Sequence, residues 1–290
     1  MNVDCVVTQP VTLGESPMWS VAEQKLYWVD IDGPALHRFD PATGRDESWP
    51  MPEQIGSIAL RKDGTLLVAL RTGFAFFDPA DAKLTRLFDP EPDKPNNRFN
   101  DGTTDSAGRF WAGTMRMAPQ GDQPEGTLYR LDADLSCRPV FDGFWTINGL
   151  AFAPDGRTMY LADTNVNVRT IWAFDYDPES GNPTNRRVFV DTHGMAGRPD
   201  GGAVDAEGCY WMAGIGGGEL VRFTPEGAVD RVIKVPCRTP TKVAFGGSGL
   251  DTLFVTSLKR DGGDPDPMAG CLFAITGTGV TGIEVPLFAG

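Results

Sequence analysis

FWAGT, residues 110–114, is a short apolar run that follows a turn rich in Asp and Gly, and five other stretches of the chain have the same character. They are LYWVD (26–30), LLVAL (66–70), MYLAD (159–163), YWMAG (210–214) and LFVTS (253–257). Their second residues, Tyr27, Leu67, Trp111, Tyr160, Trp211 and Phe254, are separated by 40, 44, 49, 51 and 43 positions. Six such units fill 290 residues, at a mean of about 48 each. Each run is followed by a second with alternating character: ALHRFDP (35–41), GFAFFDP (73–79), TLYRLDA (127–133), TIWAFDY (170–176), ELVRFTP (219–225) and CLFAITG (271–277). Alternation of period two with aromatic and β-branched enrichment marks strands, and the D-P, D-G and E-G steps beside them are turn chemistry.

A further extended run closes each unit: ESWPM, LTRLF, RPVFD, RRVFV, RVIKV and IEVPL. Another precedes it, as in SIALR (57–61), GLAFA (149–153), GAVDA (202–206) and KVAFG (242–246). Four strands repeated six times predict an all-β fold, a six-bladed β-propeller with four-stranded blades, in a single domain over residues 1–290. No window carries sustained i, i+3, i+4 apolar spacing between caps, which excludes a parallel α/β fold. The segment from Cys5 to Thr8 is apolar enough to pair with the last unit and close the ring.

Composition narrows the function. The chain is 41% hydrophobic and 22% charged, which is globular, and its 26 Lys+Arg against 39 Asp+Glu give a net charge of −13. An acidic surface repels phosphate backbones and anionic head groups, so neither nucleic acid nor membrane is an expected partner. Met1 to Pro10 has no basic run leading into an apolar stretch, which predicts a cytoplasmic protein. Cys5, Cys137, Cys209, Cys237 and Cys271 are scattered and lack C-x-x-C spacing, so free, mostly buried thiols are expected rather than disulfides or a thiolate zinc site.

In a propeller the first strand of each unit lines the axis, so equivalent positions converge. Glu15 lies 12 before Tyr27, Asn100 11 before Trp111, Asn148 12 before Tyr160 and Asp200 11 before Trp211. The remaining units place Gly56 or Ser57 and Thr241 or Lys242 there. Asn or Asp beside Gly makes turns. Two carboxylates and two amides meeting in one channel, however, demand a cation. All-oxygen donors suit Ca²⁺, Mg²⁺ or Mn²⁺ and also admit Zn²⁺ or Fe(II), so one divalent metal ion is predicted. His37 and His193, the only histidines, lie at other levels, which excludes a histidine zinc site.

At these residues the chain resembles the senescence marker protein, regucalcin and gluconolactonase family, which includes bacterial xylonolactonases and arabinolactonases. The matching stretches are L-G-E-S-P (13–17), N-R-F-N-D-G (97–102), W-A-G-T-M (111–115), I-N-G-L (147–150), R-P-D-G (198–201) and R-D-G-G-D-P (260–265). The resemblance implies a metal held by Glu15, Asn148 and Asp200, with substrate contacts from Arg98 and Asn100. It differs at Ser16, where the family has glycine, and at Met115-Arg116-Met117, where animal members carry acidic residues.

The expected activity is hydrolysis of a sugar lactone, a small-molecule substrate, with Asp200 also serving as general base and Asp101 joining the substrate-binding set or orienting it. A propeller hydrolase of another ester, organophosphate-like, and a calcium-binding propeller without turnover remain alternatives. The loop Lys259 to Ala269 should overhang the same mouth, and Trp145 should face it. Gly277-Thr278-Gly279-Val280-Thr281-Gly282 fits G-x-G-x-x-G but opens no helix and reads as a turn. Gly214 to Gly218 reads as a turn or a close backbone approach. No G-x-S-x-G elbow is present, and Trp28, Trp111 and Trp211 recur at positions expected to pack between blades.

Overall fold

The computed structural model describes residues 1–117, 122–259 and 266–290. Its strands, in chain order, are β1 (Asn2–Val7), β2 (Gly14–Ser20), β3 (Lys25–Asp30), β4 (Ala35–Asp40), β5 (Arg45–Pro50), β6 (Ile55–Leu60), β7 (Leu66–Leu70), β8 (Gly73–Asp78), β9 (Lys83–Phe88), β10 (Asn97–Thr104), β11 (Phe110–Arg116) and β12 (Gly126–Leu131). There follow β13 (Cys137–Phe144), β14 (Ile147–Phe152), β15 (Thr158–Asp163), β16 (Thr170–Asp177), β17 (Asn182–Asp191), β18 (Arg198–Val204), β19 (Tyr210–Ile215), β20 (Glu219–Phe223), β21 (Val229–Lys234), β22 (Pro240–Gly246), β23 (Thr252–Ser257) and β24 (Leu272–Thr276). They form six four-stranded antiparallel sheets, five of them from consecutive strands beginning at β2, β6, β10, β14 and β18. The sixth has the order β1-β24-β23-β22. This is the predicted six-bladed propeller.

The sixth blade corrects one expectation. IEVPL (283–287) is not its outer strand; β1 takes that place, with Asn2 opposite Thr276 and Cys5 opposite Phe273. Once β1 satisfies the β24 edge the last residues have no ladder to join, and Pro286 lacks the N–H a ladder needs. Residues 281–290 instead cross the face at the carboxyl ends of the inner strands: Thr281 O accepts from Ala206 N at 2.9 Å, Phe288 N donates to Leu60 O at 2.8 Å and Ala289 N to Gly108 O at 3.0 Å. The tail lines part of a cavity of about 250 Å³ at that end of the channel, together with mainly apolar residues such as Leu150 and Val243.

The repeated aromatic runs fill the spaces between blades. Six hydrophobic clusters occupy the six blade interfaces, as where Trp111, Leu128 and Phe144 meet Leu161 and Phe174 between the third and fourth blades. Trp28, Trp111 and Trp211 are fully buried there, as expected. Their indole N–H groups need partners, and turn aspartates supply them: Trp111 Nε1 donates to Asp105 at 3.2 Å and Trp211 Nε1 to Asp205 at 2.8 Å. The same two aspartates accept the backbone N–H groups of their own turns, so one carboxylate fixes both the turn and the core tryptophan. The five cysteines are free, with Cys209, Cys237 and Cys271 buried and the other two half-buried. No helix among the described residues is long and apolar enough to cross a membrane.

Ring closure and blade packing can each be tested. Removing residues 1–8 strips β1 from β24 and exposes a strand edge, so chemical denaturation should show a loss on the order of 3 kcal/mol, with concentration-dependent association. Burial raises the phenols of Tyr27 and Tyr160 to about 12 and those of Tyr129, Tyr176 and Tyr210 further. These are the five tyrosines of the chain. Tyrosinate absorbance should therefore not develop in the folded protein below about pH 11, whereas in guanidinium it should appear near the ordinary value of about 10.

Candidate active site

Each of the six inner strands loses register with its neighbour at the same level. The breaks fall between Glu15 and Met18, Ile55 and Ser57, Phe99 and Gly102, Asn148 and Ala151, Pro199 and Gly202, and Pro240 and Val243. A bulge leaves residues unpaired and re-aims their side chains. Glu15, Asn100, Asn148 and Asp200 all lie at these breaks, toward the amino-terminal ends of their strands, as the offsets from the core aromatics predict. The local backbone permits the break, since Gly149, after Asn148, has φ +63°, and Ser16, after Glu15, has φ +49°. The family's glycine at this place therefore has a conformational reason, and Ser16 tolerates the left-handed region while its Oγ accepts Ile58 N at 3.1 Å.

The polar side chains are nearly inaccessible: Glu15 is 6% exposed, Asn148 3%, Asp200 4% and Arg98 7%. Asn148 is held on both sides, its Nδ2 donating to Thr164 Oγ1 at 2.7 Å and its Oδ1 accepting Asn100 Nδ2 at 2.9 Å. Asn100 Nδ2 also donates to Ile147 O at 2.9 Å, and its Oδ1 accepts Arg98 Nη1 at 2.7 Å. Both ends of the Asn100 amide are thus engaged by protein. Asp101 faces the other way, its oxygens taken by Gly102 N at 2.8 Å, Leu150 N at 2.9 Å and the Lys242 ammonium. Lys242 also donates to Gly102 O at 3.1 Å, joining the third and sixth blades across the axis.

The metal-binding candidates are different. Among the described residues Glu15 accepts only its neighbour, Ser16 N, at 3.2 Å. Among the described residues no donor reaches the Asp200 carboxylate at all. Burial, then the charge of Asp101, pushes the Glu15 carboxyl up to about 8. Burial, then the charges of Glu15 and Asp101, holds Asp200 well above the usual carboxylate range. A buried carboxylate without donors is costly, and two that repel each other are more so. With the amide oxygen of Asn148 between blades, this hard-oxygen donor set fits one divalent cation.

A second acidic group does not. Asp205, Glu207 and Cys209 bring ligand atoms within 4.8 Å of one another. Arg222 already lies among them, with Nε 2.7 Å from Asp205, so the cluster is an ion-pair network that braces the fifth blade. His193 pairs with Asp191 on the exposed surface, away from the axis.

Around the mouth, Met115 pairs in register with Arg98, and Arg116 forms an ion pair with Glu125. Trp145 is half-buried in the β13–β14 connection, its N–H donating to Asp163 at 2.8 Å. In the Lys259 to Ala269 loop, residues 260–265, and with them the R-D-G-G-D-P stretch, lie outside the described residues. Sequence reading misses the Lys242 to Asp101 pair and the two-sided clamp on Asn148 by Thr164 and Asn100. The only signal for the first is a lysine where other inner strands carry small, amide or acidic residues.

The raised carboxyls make cation uptake proton-coupled. Binding of a divalent metal at about pH 7 should release at least one proton, read by calorimetry in buffers of different ionisation enthalpy. The release from Glu15 should fade above about 8, where that group is already ionised before the metal arrives.

The family model described as "SMP-30/Gluconolactonase/LRE-like region" matches residues 13–259. The 6-deoxy-6-sulfogluconolactonase of Pseudomonas putida is 42% identical over 293 residues, covering 100% of this chain and 99% of that protein. Regucalcin of Xenopus laevis is 38% identical over 299 residues with the same coverage, 100% and 99%. Among solved structures, the calcium-binding protein regucalcin from Agrobacterium tumefaciens superposes with a TM-score of 0.92 at 31% identity, over 98% of this chain and 96% of that one. A gluconolactonase from Xanthomonas campestris, at 24% identity and TM-score 0.76 over 94% and 88% of the two chains, shares the fold.

Proposed function

The chain belongs to the SMP-30/gluconolactonase/LRE-like family, and on that premise we propose that it opens an aldonolactone to the aldonic acid, using one divalent metal ion at the head of its channel. The observation that carries this reading is the Asp200 carboxylate, buried beside Glu15 and Asn148 and, among the described residues, without a hydrogen-bond donor. Glu15, Asn148 and Asp200 would hold the ion, and the hard-oxygen donors favour Ca²⁺, Mg²⁺ or Mn²⁺ while admitting Zn²⁺ or Fe(II). When bound, the ion supplies Lewis acidity toward a carbonyl oxygen.

The side chains do the rest. Hydrolysis adds water across the ring ester: a C–O bond forms at the carbonyl carbon, the ring C–O bond breaks, and the proton lost by water ends on the departing ring oxygen. Asp200 takes that proton and returns it, a role that requires its carboxylate to lie within hydrogen-bond reach of the attacking water. Arg98 commits Nη1 to Phe99 O and Asn100, leaving its other N–H groups for sugar hydroxyls or the developing oxyanion. Asn100 acts as a positioning residue that keeps Arg98 and Asn148 at fixed separation. Asp101, pinned by Lys242, orients the Leu150 end of the β14 bulge that carries Asn148.

The reading is tested by pH-indicator hydrolysis of pentono- and hexonolactones by metal-stripped protein with each divalent metal restored, after subtraction of spontaneous opening. Metal-dependent turnover is expected, falling at least about 100-fold in Asp200→Asn. No turnover with any metal would leave another ester as the substrate, or a propeller that only binds calcium.

A further inference from the structure

The third and fifth blades present the same short pattern at the mouth: Arg98-Phe99-Asn100 and Arg198-Pro199-Asp200. In each, an arginine sits two residues before the axial residue, in register with the end of the next strand, Met115 for Arg98 and Ile215 for Arg198. In each the arginine is the paired residue just before the break in register that holds the axial residue, so the two side chains belong to the same mouth. Arg98 is buried and bonded to its own strand. Arg198 is half-buried, and no described residue gives its guanidinium a hydrogen bond or an ion pair. An arginine without a partner is unexpected on a chain with a net charge of −13. Its charge does reach Asp200.

The backbone under Arg198 is held from two sides. Arg169 Nη2 donates to Met195 O at 2.8 Å and to Gly197 O at 2.9 Å, holding the β17–β18 connection. Gly197 packs so closely on Gly214 and Gly217 that an added Cβ would come to 2.5 Å from the Gly214 backbone. A cation on a rigid backbone, unpaired among the described residues and close enough for its charge to act on the Asp200 carboxylate, has the form of a ligand-reading group.

We propose that Arg198 is a specificity-determining residue that recognises a tetrahedral oxyanion, a sulfonate or a phosphate, at the end of the sugar remote from the lactone carbonyl. The guanidinium fork matches two oxygens of such a group, and at a partly buried site that charge-assisted pair outweighs a contact to a neutral hydroxyl. This rests on the lactonase reading, and its test separates the two.

Steady-state kinetics of wild type, Arg198→Met and Arg198→Lys would be compared on glucono-1,5-lactone and on its 6-phosphate and 6-deoxy-6-sulfo analogues. The expected result is that wild type favours one anionic lactone and that Arg198→Met loses at least about tenfold more kcat/KM on it than on the neutral lactone. The loss should lie mainly in KM, with partial recovery in Arg198→Lys. Whichever of the two anionic arms shows the larger discrimination identifies the substituent. Turnover of the neutral lactone with equal losses on all three would overturn the inference and leave the lactonase reading intact, since Arg198 would then act only by tuning Asp200. Turnover of none would overturn both.

Discussion

Everything at the mouth depends on the break in register that each inner strand makes at one height. A regular strand sends alternate side chains into the two faces of its blade, where the six hydrophobic clusters lie. Only where the ladder slips, around Glu15, Asn100, Asn148 and Asp200, can polar side chains turn toward the axis without opening the core. The slip has local requirements, and the positive φ values of Ser16 and Gly149 meet them.

The axis is arranged in two electrostatic levels. Below, Asp101 is matched by Lys242, a pair that ties the third blade to the sixth and needs nothing further. Above, Glu15 and Asp200 have almost no donors, and their shared burial and mutual repulsion raise their affinity for protons or for a metal. The protein therefore neutralises one carboxylate with its own lysine, and the other two are those that the proposed metal ion would neutralise. That division follows from which blade supplies a long basic side chain, since Lys242 occupies the sixth blade's break where the fifth has Asp200 and Gly201.

Most of this is legible in the sequence because a repeat converts counting into geometry. The offset from each core aromatic to the axial residue is 11 or 12, and that is enough to bring Glu15, Asn148 and Asp200 to one level. What counting does not carry is reach between blades. Nothing near Lys242 names Asp101, 141 residues away, and nothing in the Asn100 segment says that its amide is engaged by Asn148. Assigning the outer strand of the last blade to IEVPL fails for a related reason. An apolar, alternating segment describes β1 and the tail equally well, and only the competition for a single β24 edge decides between them.

The tail that loses this competition has a consequence for traffic. By crossing beneath Leu60, Gly108 and Ala206 it obstructs one end of the channel, so that the propeller resembles a well more than a tube. On the proposed reading water, substrate and product share the mouth at the opposite end, and an aldonate would leave past the same arginines that admitted its lactone. Its new carboxylate is a better partner for those arginines than the neutral ester was. Departure, in such a well, competes with chemistry as the slow event of the cycle.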